Sequence, residues 1–204
     1  NLGEKLILAL CKSATITTTK GSVIFENNGS RRNSRRNRSF GSEFQGTIHL
    51  NRNEYQEIID GISMLIPPAG VKTLFNGKEL QPREKVKSFS AKLPTEVANS
   101  NGELSKTIRK TEVDIYKAKK SSTGWIYELG IPVVEGGGPF DIDVRQKVPL
   151  NMDRDNVTPS YLRTLRAEVL SHTAQLLSSE ESAESWTDDA IEDQRCNDKA
   201  IRQV

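Results

Sequence analysis

The residues of this chain best suited to chemistry lie between positions 145 and 157. There Arg145, Lys147 and Arg154 alternate with Asn151 and Asn156, between an alternating strand pattern and a helix start. Cations on a strand-to-helix loop can be set against charge developing on a phosphate. The alternative is local neutralisation of Arg154 by Asp153, Asp155 or a helix end. Gly3-Glu4-Lys5 opens a run of strong helix formers. N–H groups at a helix start are unpaired and carry partial positive charge, Gly3 permits close approach, and Lys5 adds a point charge; a plain surface lysine is the other explanation. Gly46-Thr47 heads an alternating segment, where a ligand can approach the glycine backbone and the threonine supplies a hydroxyl. Taken alone, that pair is better explained by a bulge followed by a β-branched residue.

The elements that would position these residues follow from pattern and punctuation. Residues 4–11 predict a helix, apolar nearly all round and therefore buried. Residues 14–18 and 22–25 flank Lys20-Gly21 and predict a hairpin. Residues 27–42, polar and dense in arginine, predict an exposed mobile loop, and 44–50 a third strand. Asn53 as N-cap with Gln56 in a capping box starts an amphipathic helix, which Pro67-Pro68 stops and whose stripe from Tyr55 to Ile66 would lie on a sheet. Asn76-Gly77 marks a tight hairpin, strands are expected near 86–93, 107–118, 125–135 and 140–148, and Thr158-Pro159 caps a last helix. From 178 onward the chain is acidic and poor in apolar residues, the pattern of a weakly ordered tail or linker.

Composition excludes several classes. The chain has 204 residues, 35% hydrophobic, with 29 Lys and Arg against 27 Asp and Glu, a formal +2. So near-neutral a balance announces neither nucleic acid nor membrane by itself. Two cysteines, Cys11 and Cys196, and two histidines, His49 and His172, form neither a disulfide framework nor a metal cluster, so no metal ligand is assigned. No apolar run is long enough to span a bilayer, and the expected setting is a reducing cytoplasm with no membrane partner. Position 1 is asparagine, which reads as a cut through a longer polypeptide. The order of elements divides the chain into 1–50, a small β-rich piece unable to close its own core, 51–178, an α+β domain, and the acidic tail 179–204.

Together the motifs resemble the later half of a GHKL-type ATPase, the superfamily of gyrase B, MutL, histidine kinases and a heat-shock chaperone. Asn1-Leu2-Gly3-Glu4-Lys5 resembles the end of the nucleotide lid and the start of its helix. Gly46-Thr47-x-x-Leu50 resembles the Gly-Thr box. Pro149-Leu150-Asn151-Met152-Asp153-Arg154-Asp155-Asn156-Val157 is similar to the chaperone's middle-domain catalytic loop, with aspartate at its serine and glutamate positions and Thr158 in place of a glutamine. A weaker likeness is to phage proteins of the rIIA kind. The resemblance implies an α+β fold: the end of a Bergerat-type ATP-binding sandwich, then a ribosomal-protein-like transducer domain. It implies ATP with Mg²⁺, the Mg²⁺ ligand and adenine-selecting aspartate lying in a missing N-terminal segment, and a homodimer. It assigns Arg154, with Lys147 and Asn151, to the γ-phosphate, and Gly3, Lys5, Gly46 and Thr47 to nucleotide binding. The fragment alone would be inactive.

Two rivals stand beside it. Arg31, Arg32, Arg35, Arg36 and Arg38 form a compact basic segment that could contact several phosphates of a nucleic acid, with Phe40 placed to stack. A solvated loop is its plain alternative. The other rival is a dimerising domain without ATPase activity.

Overall fold

The computed structural model describes residues 7–99, 101–118, 123–151 and 156–204, and it is mixed α+β. The chain divides into two compact units, Asn1–Ile59 and Asp60–Val204. Among the described residues no helix is long and apolar enough to cross a membrane.

In the first unit a short helical stretch at residues 7–10 runs into an antiparallel sheet of order β3-β2-β1-β4. Its strands are β1 (Cys11–Thr18), β2 (Gly21–Glu26), β3 (Arg31–Ser34) and β4 (Glu43–Ile48). Thr15 to Thr18 of β1 are all β-branched, and Thr18 faces Gly21 across a two-residue turn at Thr19-Lys20, one residue before the expected Lys20-Gly21. Ala14, Ile16, Val23, Phe25 and Phe44 share one face through the pairings Ala14↔Phe25, Ile16↔Val23 and Ile16↔Phe44. The opening helix differs from expectation. Its described residues are not buried, Leu10 being 61% exposed, because the chain passes into β1 at Cys11 and only Cys11 is carried into the sheet. The arginine-rich segment also differs: Arg31–Ser34 forms a strand, because an Asn28-Gly29 turn brings it back along β2 in register.

The helix α1 (Arg52–Met64) is capped two residues earlier than the pattern suggested. Asn51 Oδ1 accepts the N–H groups of Asn53 (2.9 Å) and Glu54 (3.0 Å), and Glu54 Oε2 accepts the Asn51 N–H at 2.7 Å. None of its residues is buried; of the stripe expected from Tyr55 to Ile66, Tyr55 and Ile58 are exposed, Ile59, Ile62 and Leu65 are half-buried, and Ile66, past the helix end, is buried.

The second unit begins with the hairpin β5 (Leu74–Phe75) and β6 (Lys78–Glu79), turned at Asn76 and Gly77 with φ of 49° and 77°. A five-stranded sheet follows, of order β10-β9-β11-β8-β7. It comprises β7 (Lys87–Ala98), β8 (Leu104–Lys117), β9 (Trp125–Glu128), β10 (Ile131–Glu135) and β11 (Phe140–Val144), antiparallel except between β9 and β11. Leu93, Val113, Ile115, Ile126 and Val144 bury one face. The helix α2 (Pro159–Thr173), N-capped by Thr158, adds Tyr161, Leu165, Val169 and Leu170 to the same core.

The last segment is the main correction to the fold. Residues 179–204 are not a loose tail: α3 (Ser179–Ser182), α4 (Ser185–Ile191) and α5 (Asp198–Ile201) fold into the second unit. Trp186, Ala190, Cys196 and Ala200 are buried in the core they share with α2. Arg166 of α2 pairs with Asp189 and donates to Gly136 O at 2.8 Å. Gly138 is needed beneath Trp186, since a Cβ there would lie 3.1 Å from the indole. Sparse small and aromatic residues do this packing, and an acidic average conceals them. Replacing Trp186 by alanine is therefore expected to destabilise the second unit by about 3–5 kcal/mol in urea unfolding, against a change within about 0.5 kcal/mol for Glu180→Ala.

Candidate functional site

The connection from β11 to α2 is held at both ends. Gln146 Nε2 donates to Leu93 O at 3.2 Å, and the hydroxyl of Thr95 donates to Lys147 O at 2.7 Å. Lys147 Nζ pairs with Glu96 Oε2 at 2.7 Å. The N–H of Val148 donates to Glu128 Oε2 at 2.7 Å, and the Val148 side chain is buried in the core. Beyond Pro149 the two arms of the loop close on one another. Leu150 and Val157 form an antiparallel bridge, and the Asn151 N–H donates to Asn156 O at 2.8 Å. Val157 is buried, and Thr158 then accepts the Tyr161 N–H to start α2. Residues of β7 and β9 and a helix cap thus fix the base of a short loop, which is how a fold presents a side chain with little ordering cost.

The sequence-predicted residues distribute as follows. Lys147 and Asn151 lie on this anchored segment, and the Lys147 charge is already engaged by Glu96. Arg154 lies outside the described residues, as do Gly3 and Lys5. Gly46 and Thr47 are neighbours on β4, where Gly46 faces Ala14 and Thr47 faces Ser13. Gly46 has a packing reason of its own: a Cβ there would meet Cys11 Sγ at 2.8 Å. Arg31 and Arg32 stand on β3, and Arg35, Arg36 and Arg38 follow it.

A second constellation was not anticipated. Asp114, Asp141 and Asp143 are buried on the sheet face away from α2. Arg83 pairs with Asp141 at 2.7 Å, and its guanidinium lies 5.1 Å from the centre of the Tyr116 ring. Lys85 reaches Asp114 at 2.9 Å. Arg145 donates from Nε (2.9 Å) and Nη2 (2.8 Å) to Asp114, and its Nη1 lies 3.3 Å from Asp143. Backbone N–H groups complete the shell, Trp125 to Asp141 and Gly130 to Asp143, each at 2.8 Å.

Burial would raise the Asp114 carboxyl, but hydrogen bonds from Ser88, Lys85 and Arg145 outweigh it and hold the group below its usual range. Asp143 goes the other way: burial raises it, and the Gly130 N–H and Arg145 offset this only in part. Tyr127 is pushed up to about 12, first by burial and then by the charge of Asp141. The sequence signal was the Asp141-x-Asp143-x-Arg145 alternation, which puts two carboxylates on one face of β11 and a cation in step with them just past its end. The alternation does not reveal that residues 83–85 come across to meet them.

Among the described residues no group of three His, Cys, Asp or Glu side chains can hold a metal, and the aspartates of this cluster are matched by cations instead. Its contribution is positional. Arg145 joins β11 to β8 immediately before the anchored loop, and its N–H donates to Glu112 O at 3.0 Å. Comparison with family models, with curated proteins and with solved structures gives no match.

The pH dependence has a definite sign. Stability from Asp114 is fully present above its unfolded-state value and is lost as pH falls through its lowered folded value. Asp143, with a raised folded value, opposes folding when ionised, and that cost is relieved as pH falls. Asp114→Ala leaves Lys85 and Arg145 short of a counter-charge, but both reach water in part and Arg145 keeps Asp143, so the expected cost is about 2–3 kcal/mol at pH 7. Asp143→Asn is expected to cost less than half as much, both read from urea unfolding. The deficit of Asp114→Ala should shrink below about pH 4, as the wild-type carboxyl itself is protonated.

Proposed function

We propose that this chain belongs to an ATP-hydrolysing protein of the GHKL type, in which the β11–α2 loop supplies a cation to the γ-phosphate of ATP. The observation that carries this reading is the anchoring of residues 146–151 and 156–157, which flank Arg154 in the sequence. Thr95, Glu96 and Glu128 fasten one arm, and the Leu150–Val157 bridge closes the other. A loop so fixed at its base suits a guanidinium that must meet charge developing in a transition state, where preorganisation lowers the barrier. The resemblance of Pro149 to Val157 to a catalytic loop, and the order of Gly46-Thr47 before it, support the same assignment.

Water attack on the γ-phosphate leaves extra negative charge on its equatorial oxygens, and there is little covalent chemistry for protein groups to perform. In this reading Arg154 neutralises that charge. The same reading assigns the backbone N–H groups of Gly3 to Lys5 and the Lys5 ammonium to phosphate oxygens, and Thr47 to the adenine end. Mg²⁺ and the base that orients water belong to a segment preceding Asn1. This chain's part is charge stabilisation by its own cations. Lys147 has the smaller role, because its ammonium is held by Glu96.

The test is made on the full-length protein. Arg154→Ala is expected to lower kcat by about 10³-fold or more. Affinity for a non-hydrolysable ATP analogue, measured by calorimetry, should change only a few-fold. Lys147→Ala is expected to keep kcat within about tenfold of the parent, since the charge it removes is already paired. A fall in nucleotide affinity that matches the fall in kcat would remove Arg154 from this role.

A further inference from the structure

The first unit carries the chain's surplus of positive charge. Residues 1–59 hold nine Lys and Arg against five Glu, a formal +4, while residues 60–204 hold 20 Lys and Arg against 22 Asp and Glu, a formal −2. Five of the nine cations fall between Arg31 and Arg38. That segment is built onto the sheet. Arg31–Ser34 pairs with β2 as the outer strand. Past the strand the Ser22 hydroxyl donates to Arg36 O at 2.5 Å, the Arg36 N–H donates to Ser34 Oγ at 3.2 Å, and the Arg38 N–H donates to Thr18 O at 3.0 Å. Gly21, with φ of 140°, makes this approach possible, because a Cβ there would lie 3.1 Å from Ser34 O.

The side chains on this fixed backbone are open. Arg31, Arg35 and Arg36 are exposed and have no ion pair among the described residues. Arg32 meets Glu26 at 3.5 Å with its side chain 70% exposed, and Arg38 meets Glu43 at 3.0 Å. Exposed pairs of this kind are worth little and exchange readily for a phosphate. Phe40 is 80% exposed, two residues from Arg38. A large aromatic ring in water beside a row of guanidinium groups is the arrangement that binds unpaired bases: the cations follow the backbone and the ring takes a base face.

We infer that the arginine-bearing edge of this sheet, Arg31 to Arg38 with Phe40, binds single-stranded nucleic acid. The inference is independent of the ATPase reading, since it uses neither Arg154 nor the nucleotide residues. Duplex is disfavoured because its bases are not available to stack on Phe40. The frame held by Ser22 and Thr18 removes part of the ordering cost that a free arginine-rich tail incurs on binding.

The experiment is fluorescence anisotropy on the 204-residue chain with a labelled 30-nucleotide single strand, its duplex, and vesicles of phosphatidylserine and phosphatidylcholine. Affinity for the single strand is expected to fall with salt, with log–log slope about −0.7 per phosphate contacted. In the triple variant Arg31→Ala, Arg35→Ala and Arg36→Ala the slope should become shallower by about 2. Phe40→Ala is expected to weaken single-strand binding about tenfold with the slope unchanged. All four side chains are exposed, and circular dichroism is the check that the variants fold. Four results would overturn the inference: no single-strand binding at about 50 mM salt; duplex bound more tightly than single strand; vesicles bound in place of oligonucleotide; or a triple variant that binds like the parent.

Discussion

Three aspartates buried beneath one sheet impose the strictest requirement on this molecule. Each carboxylate taken out of water loses several kcal/mol of solvation even after the protein relaxes, and only close cations with well-placed donors restore it. Arg83 serves Asp141, Lys85 and Arg145 share Asp114, and Arg145 also reaches Asp143 at 3.3 Å, while the N–H groups of Trp125 and Gly130 donate to Asp141 and Asp143. The match can be made in one register only. A slip of one residue along β11 would turn Asp141 and Asp143 into the apolar face against α2 and bring Ile142 and Val144 among the cations. Such a cluster contributes less to net stability than its contacts suggest, and more to deciding which strand lies where.

That constraint reaches the loop. Arg145 is the last residue of the cluster and the first after β11, so the direction in which the chain leaves the sheet is set by two carboxylates before residues 146–157 begin. Glu128 acts similarly from β9, where it receives the Val148 N–H. The Leu129-Gly130 turn that follows Glu128 sends the Gly130 N–H to Asp143, so β9 is tied to the cluster and to the loop by neighbouring residues. The buried charges and the anchored base of the loop are therefore parts of one positioning system. The opposite face of the sheet that carries it packs with residues of α2 and α4 in one core.

Some of this was legible in the sequence because it is local. Asn76-Gly77 and Thr158-Pro159 each carry their geometry within a few residues, and both turn and cap lie where those pairs place them. The α1 cap was displaced to Asn51 because two asparagines, each followed three residues on by Glu54 or Gln56, offered the same pattern; the charged carboxylate of Glu54 is the stronger acceptor for the reciprocal bond. The strand at Arg31–Ser34 and the docking of residues 179–204 were not legible, for a common reason. Both depend on partners distant in sequence or on a few small apolar residues within a polar stretch, and compositional reasoning averages these away. The loop at 146–157 was visible as a strand-to-helix connection rich in cations. Its anchors at Leu93, Thr95, Glu96 and Glu128 were not, since nothing in those residues announces the contact.

An outer strand bearing arginine has a simpler explanation than ligand binding, because charge on an exposed edge prevents pairing with another chain. Edge protection accounts for Arg31 and Arg32, which lie on β3. It does not account for Arg35, Arg36 and Arg38, which follow the strand, nor for the hydrogen bonds from Ser22 and to Thr18 that fix the backbone there. Nor does it account for Phe40, because an exposed phenyl ring beside an open edge invites the association that the arginines would prevent. Solubility alone would be served as well by lysines scattered over a mobile loop. Guanidinium groups on a backbone held at Arg36 and Arg38 fit a partner whose charges recur along a line.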